Sequence, residues 1–365
     1  MNASSTSAST SVSPGTQYAA RDACNLCNST RVRALSRHDR HGHLLLTVMC
    51  SACGLVRSDP MPEPASLDQY YRERYRIDYK RQSAPSRRHV LRAGRVAIDR
   101  IARLPRLPTA AAGAGRALDI GAGGGEFAYL LGRSTGLAVT GIEPNEGYGE
   151  HARQALGLDL IVSPLHEAMP PEASFDLVTM FHVLEHLRDP GAALARLATW
   201  LAPGGVAVVE VPNVEATCQS PLHLFHAAHL YNFNAAALER LGHKVGLEPI
   251  DCWFSPDRGN LSITLRRPPG TALPPPGDRT VNEAPGHFAM PSNAQRIWQV
   301  RAAHTPWRHR ASLQPLARAL RRVGSRVGET WALRRMPSDP RALLDQLHDE
   351  SRLAAGAMPA QAMAA

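Results

Sequence analysis

The stretch that decides the fold reads Arg116-Ala-Leu-Asp-Ile-Gly-Ala-Gly-Gly-Gly-Glu-Phe-Ala-Tyr-Leu-Leu131. It predicts a short buried strand, a glycine-rich turn and the first turns of a helix. Gly121, Gly123 and Gly125 have a G-x-G-x-G spacing. Glycines let the backbone turn sharply and leave room for a ligand against the main chain. Many nucleotide-binding folds share such a turn, so neighbouring residues must indicate the ligand.

Two acidic residues near this turn narrow the choice of ligand. A second predicted strand, residues 137–142, ends on Glu143, where a carboxylate can accept hydrogen bonds from both hydroxyls of a ribose. Asp119 lies in the first strand, where it can orient the turn and reach the amino group of a methionine moiety. The dinucleotide pattern G-x-G-x-x-G is not met, because position 126 is Glu. S-adenosylmethionine is therefore favoured over a dinucleotide.

The motifs that follow occur in a recognisable order. They are a fourth strand at 174–180, the segment Phe181–Pro190, a Leu-Ala-Pro-Gly-Gly turn at 201–205 and a fifth strand at 206–211. This succession resembles class I S-adenosylmethionine-dependent methyltransferases over roughly residues 90–266. The alternative is a generic doubly wound sheet with a chance glycine turn.

The resemblance implies an α/β fold with a Rossmann-like sheet, and it implies cofactor-binding residues. These are Asp119, Gly121, Gly123 and Glu143, with the backbone near Leu165 facing the adenine. Glu167 is a candidate side-chain partner for the adenine, because the loop after the third strand, predicted at 158–162, does not open with an acid.

Four cysteines near the N-terminus predict a zinc ribbon. Cys24 and Cys27 form one C-x-x-C knuckle and Cys50 and Cys53 another, with 22 residues between them. Each knuckle can present two thiolates to one tetrahedral ion, and four protein ligands leave no position for water. We therefore expect a structural zinc, with two disulfides or a chance pattern as the alternative. Cys218 and Cys252 have no such spacing and are expected to be ordinary thiols, most simply structural.

The segment after the second knuckle is rich in tyrosine, with Tyr70, Tyr71 and Tyr75. A cysteine knuckle leading into such a segment resembles the N-terminal module of a methyltransferase subgroup that includes deoxysugar C-methyltransferases. The resemblance implies that these tyrosines help to line the substrate pocket, and core packing is the alternative.

The same subgroup carries a Tyr-His-Glu-His element that supplies a base. The corresponding stretch in this chain reads His226-Ala-Ala-His229, so only the last histidine matches. This departure disfavours sugar C-methylation and leaves methyl transfer itself intact. We expect His229 to be the catalytic base.

Further candidate catalytic residues follow the fourth strand. His182, Glu185 and His186 come just after its carboxyl end, where open α/β sheets bind their ligands. Two roles remain open for His182 and His186. Either histidine contacts the substrate, or both are structural and take part in capping or in hydrogen bonds of the core. The dense spacing of His223, His226 and His229 suggests proton transfer or a second metal. The metal is disfavoured because the loop has no nearby acidic partner.

The composition of the chain limits which classes of protein it can belong to. The chain has 365 residues, is 44% hydrophobic and 20% charged, and has no run of about 18 apolar residues. The N-terminus lacks the features of a secretory signal, so a cytoplasmic location is expected. The net charge of +9 is compatible with anionic partners, or is simply solvated.

We predict five segments along the chain. They are a disordered tail (1–20), a zinc-binding module (21–80), the methyltransferase domain (81–266), a linker (267–292) and a basic helical extension (293–365). In the extension an apolar stripe recurs at helical spacing and an arginine-rich face accompanies it. Packing of the stripe on the catalytic domain is favoured, and contact with an anionic membrane surface or a partner is the alternative. The stripe comprises Leu313, Leu316, Leu320, Val323, Val327 and Trp331, and the arginines are Arg318, Arg321, Arg322 and Arg326.

These patterns together predict a methyltransferase acting on a small-molecule acceptor, first of all an oxygen of a sugar or glycan precursor. Carbon and nitrogen acceptors remain open. A non-enzymatic zinc-ribbon protein that binds nucleic acid is the second hypothesis. It is disfavoured because residues 24–57 contain arginines but no aromatic residue for base stacking.

Overall fold

The computed structural model describes residues 13–20, 22–63, 84–105, 115–270, 273, 290–305 and 314–356. The chain divides into two compact units. One unit comprises Met1–Pro64 and Met180–Arg318, and the other comprises Ala65–Thr179 and Ala319–Ala365. Tyr70, Tyr71, Tyr75 and residues 274–289 of the predicted linker lie outside the described residues. The predicted segment boundaries remain predictions.

Twelve strands are found in the described ranges. They are β1 (Gln17–Ala19), β2 (Arg31–His38), β3 (Leu44–Cys50), β4 (Val56–Ser58), β5 (Arg116–Ile120), β6 (Ala138–Ile142), β7 (Asp159–Ile161), β8 (Phe175–Phe181), β9 (Leu201–Pro212), β10 (Tyr231–Asn232), β11 (Glu248–Phe254) and β12 (Asn260–Arg266).

The same ranges contain eight α-helices. They are α1 (Arg87–Ile101), α2 (Glu126–Thr135), α3 (Glu146–Leu156), α4 (Pro190–Trp200), α5 (Ala235–Lys244), α6 (Met290–Ala303), α7 (Gln314–Arg335) and α8 (Pro340–Gly356). A short 3₁₀ helix, Leu184–His186, lies between β8 and α4.

The N-terminal sheet is antiparallel and has the strand order β1-β2-β3-β4-β10. Its last strand comes from far along the chain, because Tyr231 in β10 pairs with Arg57 in β4. Met49 and Val56 belong to one apolar cluster with Phe225 and Ile297. The cysteine module is therefore packed against later segments of its own unit.

The strands β5, β6 and β7 are parallel, and they form the nucleotide-fold part of the second unit. Asp119 in β5 is in register with Gly141 in β6. A Cβ atom at Gly141 would lie 2.4 Å from Leu160 Cδ1 and 3.0 Å from Ala122 Cβ, so a larger residue here would force the Leu160 side chain to move. Gly125, with φ of +85°, precedes α2 and turns the chain into the helix.

The complete sheet of seven strands has the order β11-β12-β9-β8-β5-β6-β7. The antiparallel pairs β9–β12 and β11–β12 end it on one side, and the parallel strands end it on the other. This mixed, parallel-rich sheet confirms the predicted α/β, Rossmann-like class. Strand β9 begins at Leu201, earlier than the predicted 206, because Gly204 and Gly205 form backbone hydrogen bonds with Arg267.

The C-terminal extension contains the predicted basic helix, α7, but the prediction that its apolar stripe packs on the catalytic domain is wrong. The described members of the stripe are Leu316, Leu320, Val323, Val327 and Trp331, and each is at least 55% exposed. The opposite side of the helix makes the contacts, since Glu329 is 4% exposed. Within the described residues, no helix is long and apolar enough to cross a membrane.

Candidate active site and cysteine cluster

The glycine-rich turn between β5 and α2 is held open by unusual backbone angles and tied to the end of β6. Gly121 and Gly123 have φ of +76° and +59°, which side chains rarely tolerate. The Gly121 amide donates to the Ile142 carbonyl at 2.7 Å, and the Gly123 amide donates to Glu143 Oε2 at 2.8 Å. The Asn145 amide donates to Glu143 Oε1 at 3.1 Å. Both oxygens of the Glu143 carboxylate are thus oriented by main-chain donors.

Asp119 is a buried carboxyl beside this turn. It is 3% exposed and accepts a hydrogen bond from Thr179 Oγ1 at 2.7 Å. The pKa of Asp119 is raised to about 7, mainly by burial and to a smaller extent by the charge of Glu143, while the Thr179 hydrogen bond and the charge of Arg100 oppose the shift. A carboxyl in this state is poised to gain a cationic partner such as an amino group.

The loop after β7 holds the predicted adenine contacts. Ser163 donates its amide to the Glu143 carbonyl at 3.2 Å, which ties the start of this loop to the end of β6. Leu165 is half-buried and Glu167 is exposed. Four predicted cofactor-binding residues lie together at the carboxyl ends of β5 and β6: Asp119, Gly121, Gly123 and Glu143. Leu165 belongs to the adjoining loop. Their role in binding the cofactor stays a prediction.

The candidate catalytic histidines surround a fully buried carboxylate, Glu185. Its Oε1 lies 3.3 Å from His182 Nδ1, 3.9 Å from His186 Nε2 and 4.0 Å from His229 Nε2. We call Glu185, His182, His186, His226 and His229 the histidine cluster. The structure therefore brings together all three predicted catalytic residues.

The approach of Glu185 to the histidine loop and the contact of Glu210 with His182 were not predicted from the sequence. The expectation that the histidine loop lacks an acidic partner is wrong, because Glu185 comes from the 3₁₀ helix after β8. Glu210, on β9, lies 3.2 Å from His182 Nε2. The three-residue spacing of His182 and Glu185 was a signal only for the contact between these two side chains.

The protonation states within the cluster differ. Burial lowers the pKa of His182, but its hydrogen bonds and charge interactions with Glu185 and Glu210 outweigh burial and raise this pKa to about 9. Burial lowers the pKa of His229 well below its ordinary value, and electrostatic interaction with the neighbouring imidazoles of His186 and His226 lowers it further. At neutral pH the imidazole of His229 is therefore uncharged, and that of His182 is protonated.

His186 and His226 position the rings around His229. His186 Nδ1 lies 2.7 Å from the Ala228 carbonyl, which can only accept, so this nitrogen carries the proton. The ring centroids of His226 and His229 are 3.6 Å apart, and those of His186 and His229 are 4.9 Å apart.

The histidine cluster also contains a set of atoms that could accept a metal. One ligand atom each of Glu185, His186 and His229 lie within 4.8 Å of one another. The second oxygen of Glu185, Oε2, is buried without a hydrogen-bond partner. Two imidazoles and one carboxylate are a common ligand set for divalent transition metals.

The four cysteines are close together and unpaired by disulfides. The Sγ atoms of Cys24 and Cys53 lie 3.5 Å apart, as do those of Cys27 and Cys50. All four ligand atoms are within 4.8 Å of one another. Four thiolates at about 2.3 Å from one zinc ion have sulfur atoms slightly under 4 Å apart, so this donor set fits a tetrahedral zinc.

The first cysteine knuckle is linked to the segment that carries His186. The Asn25 side chain donates to Asp189 Oδ1 at 2.8 Å and accepts from the Gly191 amide at 3.1 Å. The Lys244 ammonium donates to the Asn25 carbonyl at 2.5 Å. The knuckle therefore contacts the N-terminus of α4, three residues after His186.

Comparisons with known proteins agree with this geometry. Residues 87–251 match the family model described as a methyltransferase domain. A probable S-adenosylmethionine-dependent methyltransferase of Mycolicibacterium smegmatis is 32% identical over 172 residues, which cover 46% of this chain and 65% of that protein. A ubiquinone biosynthesis O-methyltransferase of Neisseria meningitidis is 34% identical over 122 residues, 31% of this chain and 50% of that protein.

Among solved structures, the 1,6-didemethyltoxoflavin-N1-methyltransferase of Burkholderia thailandensis is 21% identical, with a TM-score of 0.41 over 59% of this chain and 96% of that one. The chain spans between half and two thirds of the length of the two relatives above. The family match, the relatives and the residues at the glycine-rich turn lead to one conclusion. Residues 87–251 are similar to the methyltransferase domains of S-adenosylmethionine-dependent enzymes.

Proposed function

We propose that this protein transfers a methyl group from S-adenosylmethionine to a small-molecule acceptor, at an oxygen of a sugar or glycan precursor. The proposal rests mainly on one observation: the carboxylates of Asp119 and Glu143 both lie beside the glycine-rich turn. The Neisseria relative is named as an O-methyltransferase, which supports an oxygen acceptor. Methylation of carbon or nitrogen in another metabolite is the alternative.

The cofactor-binding residues each have a defined task. When bound, S-adenosylmethionine supplies a methyl group activated by its sulfonium. Asp119 accepts hydrogen bonds from the amino group of the methionine moiety, and Glu143 accepts them from the ribose hydroxyls. Gly121 and Gly123 let the ligand approach the main chain. The backbone at Leu165 faces the adenine.

His229 removes the proton from the acceptor hydroxyl. Its imidazole is uncharged at neutral pH, so a ring nitrogen can accept a proton. The buried carboxylate of Glu185, 4.0 Å from His229 Nε2, then stabilises the imidazolium. His182 is already charged and held by two carboxylates, so it orients the cluster, and His186 positions the ring of His229.

Cys24, Cys27, Cys50 and Cys53 hold one structural zinc ion. With all four positions filled by thiolates, this zinc takes no part in the chemistry. A cytoplasmic location keeps these thiols reduced and available for the metal.

Calorimetry with S-adenosylmethionine and its demethylated product tests the proposal. Glu143→Ala should weaken binding by about tenfold or more, because it removes hydrogen bonds worth about 1–3 kcal/mol. Glu150→Ala is the matched control, since Glu150 is an exposed acid on α3. If the unmodified protein binds neither compound, the proposed function is wrong.

A further inference from the structure

Helix α7 presents an apolar surface to the solvent. Leu316, Leu320, Val323, Val327 and Trp331 follow one another at steps of three and four residues, which places them on one side of the helix. Their exposed fractions lie between 55% and 65%. Contiguous apolar side chains of this kind mark a site of interaction. We call these five residues the exposed stripe.

The other side of α7 and the C-terminal end of this helix are fixed by contacts with α1. The Arg92 guanidinium donates to both oxygens of Glu329, each at 2.6 Å. The Arg87 guanidinium donates to the carbonyls of Leu333 and Met336. Because these contacts occupy the side opposite the stripe, the exposed stripe faces away from the helix's own packing partners.

The charge around the stripe has one sign. Arg321, Arg326, Arg334 and Arg335 are all exposed on α7. Glu329 is the only acidic residue of the sequence 314–335, and it is buried in its ion pair with Arg92. The surface that a partner meets on this helix is therefore apolar along its centre and positively charged along its sides.

We propose that the exposed stripe docks on the surface of an anionic lipid bilayer. The apolar side chains enter the boundary between headgroups and acyl chains, and the flanking arginines contact the anionic headgroups. The Arg335 guanidinium lies 3.6 Å from the centroid of the Trp331 ring, and this pair combines the aromatic and cationic groups suited to that boundary.

Charge complementarity favours the bilayer over a second copy of the chain. Two copies pairing through this stripe would bring arginines of both helices together, without an exposed acid on α7 to offset them. Like charges placed opposite each other oppose association. An anionic bilayer offers both what the arginines need, which is negative charge at the headgroups, and what the stripe needs, which is an apolar layer just beneath them.

Sedimentation with vesicles tests the proposal on the full chain. The protein should bind vesicles of phosphatidylcholine mixed with phosphatidylglycerol more tightly than vesicles of phosphatidylcholine alone, and added salt should weaken the binding. Leu320→Asp should reduce binding by about tenfold or more. Leu44→Asp is the matched control, because Leu44 is 67% exposed on β3, and its binding should equal that of the unmodified protein.

Two further variants separate the charge from the apolar contact. Arg326→Gln should weaken binding to the anionic vesicles about fivefold, because each arginine near such a surface contributes about that factor. Arg103→Gln, which changes an exposed arginine two residues after α1, should leave binding unchanged. Circular dichroism of each variant checks that the fold persists.

Three outcomes would overturn the proposal. They are no binding to either vesicle, equal binding to both, and equal losses in the variants and their controls. Dimerisation abolished by Leu320→Asp, without lipid binding, would assign the stripe to a second copy. Binding of S-adenosylmethionine is measured separately, so the proposed function can hold or fail independently of this result.

Discussion

The protonation of Asp119 predicts how cofactor affinity depends on pH. The pKa of this buried carboxyl is about 7, and an amino group of the ligand pairs only with the carboxylate. The ionised fraction is roughly ten times larger at pH 8 than at pH 6. The association constant for S-adenosylmethionine should therefore fall by roughly tenfold between these values as the pH is lowered.

Asp119→Asn tests the origin of this dependence. Asparagine retains an acceptor for the Thr179 hydroxyl but carries no charge, so the structure around it should persist. Loss of a charge-assisted hydrogen bond of about 1.5–3 kcal/mol weakens binding at pH 8 by roughly 10- to 100-fold. The variant should also lose the dependence on pH between 6 and 8. Glu143→Gln serves as the control, because it should weaken binding and retain a pH dependence, with its midpoint moved to a somewhat lower pH by the loss of the Glu143 charge.

The same group affects stability in the opposite direction. The folded-state pKa of about 7 lies above the unfolded value of 3.8, so the folded protein without ligand holds the proton more tightly. Its free energy of unfolding should fall as the pH rises from about 4 to 7, by about 4 kcal/mol at most from this group. Asp119→Asn should remove that contribution from thermal unfolding curves.

Titration calorimetry between pH 6 and 8 decides the matter. Affinity of the unmodified protein that does not change with pH would refute this account of Asp119. If Asp119→Asn binds S-adenosylmethionine as tightly as the unmodified protein, and with the same dependence on pH, the amino group of the ligand must pair with another acceptor.

The remaining predictions concern the histidine cluster and the cysteines. His229→Ala should lower single-turnover rates by about 10²–10⁴-fold with cofactor affinity nearly unchanged, and the exposed His223, changed to Ala, is its control. If His229→Ala retains full activity, His229 is not the catalytic base and has only a packing role. Elemental analysis should find about one zinc per chain, which Cys24→Ser should release and Cys252→Ser should not. Zinc retained in a chain without the four N-terminal cysteines would place the metal in the histidine cluster.

Local features were predictable because their cause is local. The glycine turn after β5 follows from a spacing within five residues, and the positive φ angles at Gly121 and Gly123 confirm it. Glu143 directly follows β6, as expected, because the apolar run of the strand and the polar residue after it are visible in the sequence. The two cysteine knuckles also meet, because the β2–β3 hairpin between them returns the second knuckle to the first.

Contacts between distant segments were not predictable from one sequence. Glu185 and His229 are 44 residues apart, and their approach depends on how the loop after β9 returns past the 3₁₀ helix. The sequence showed that α7 has an apolar side, because periodicity alone reveals it. Only the tertiary structure decided that this side faces solvent, since the ion pair of Arg92 with Glu329 rotates the other side inward. Periodicity defines a helix face, whereas long-range packing determines what that face meets.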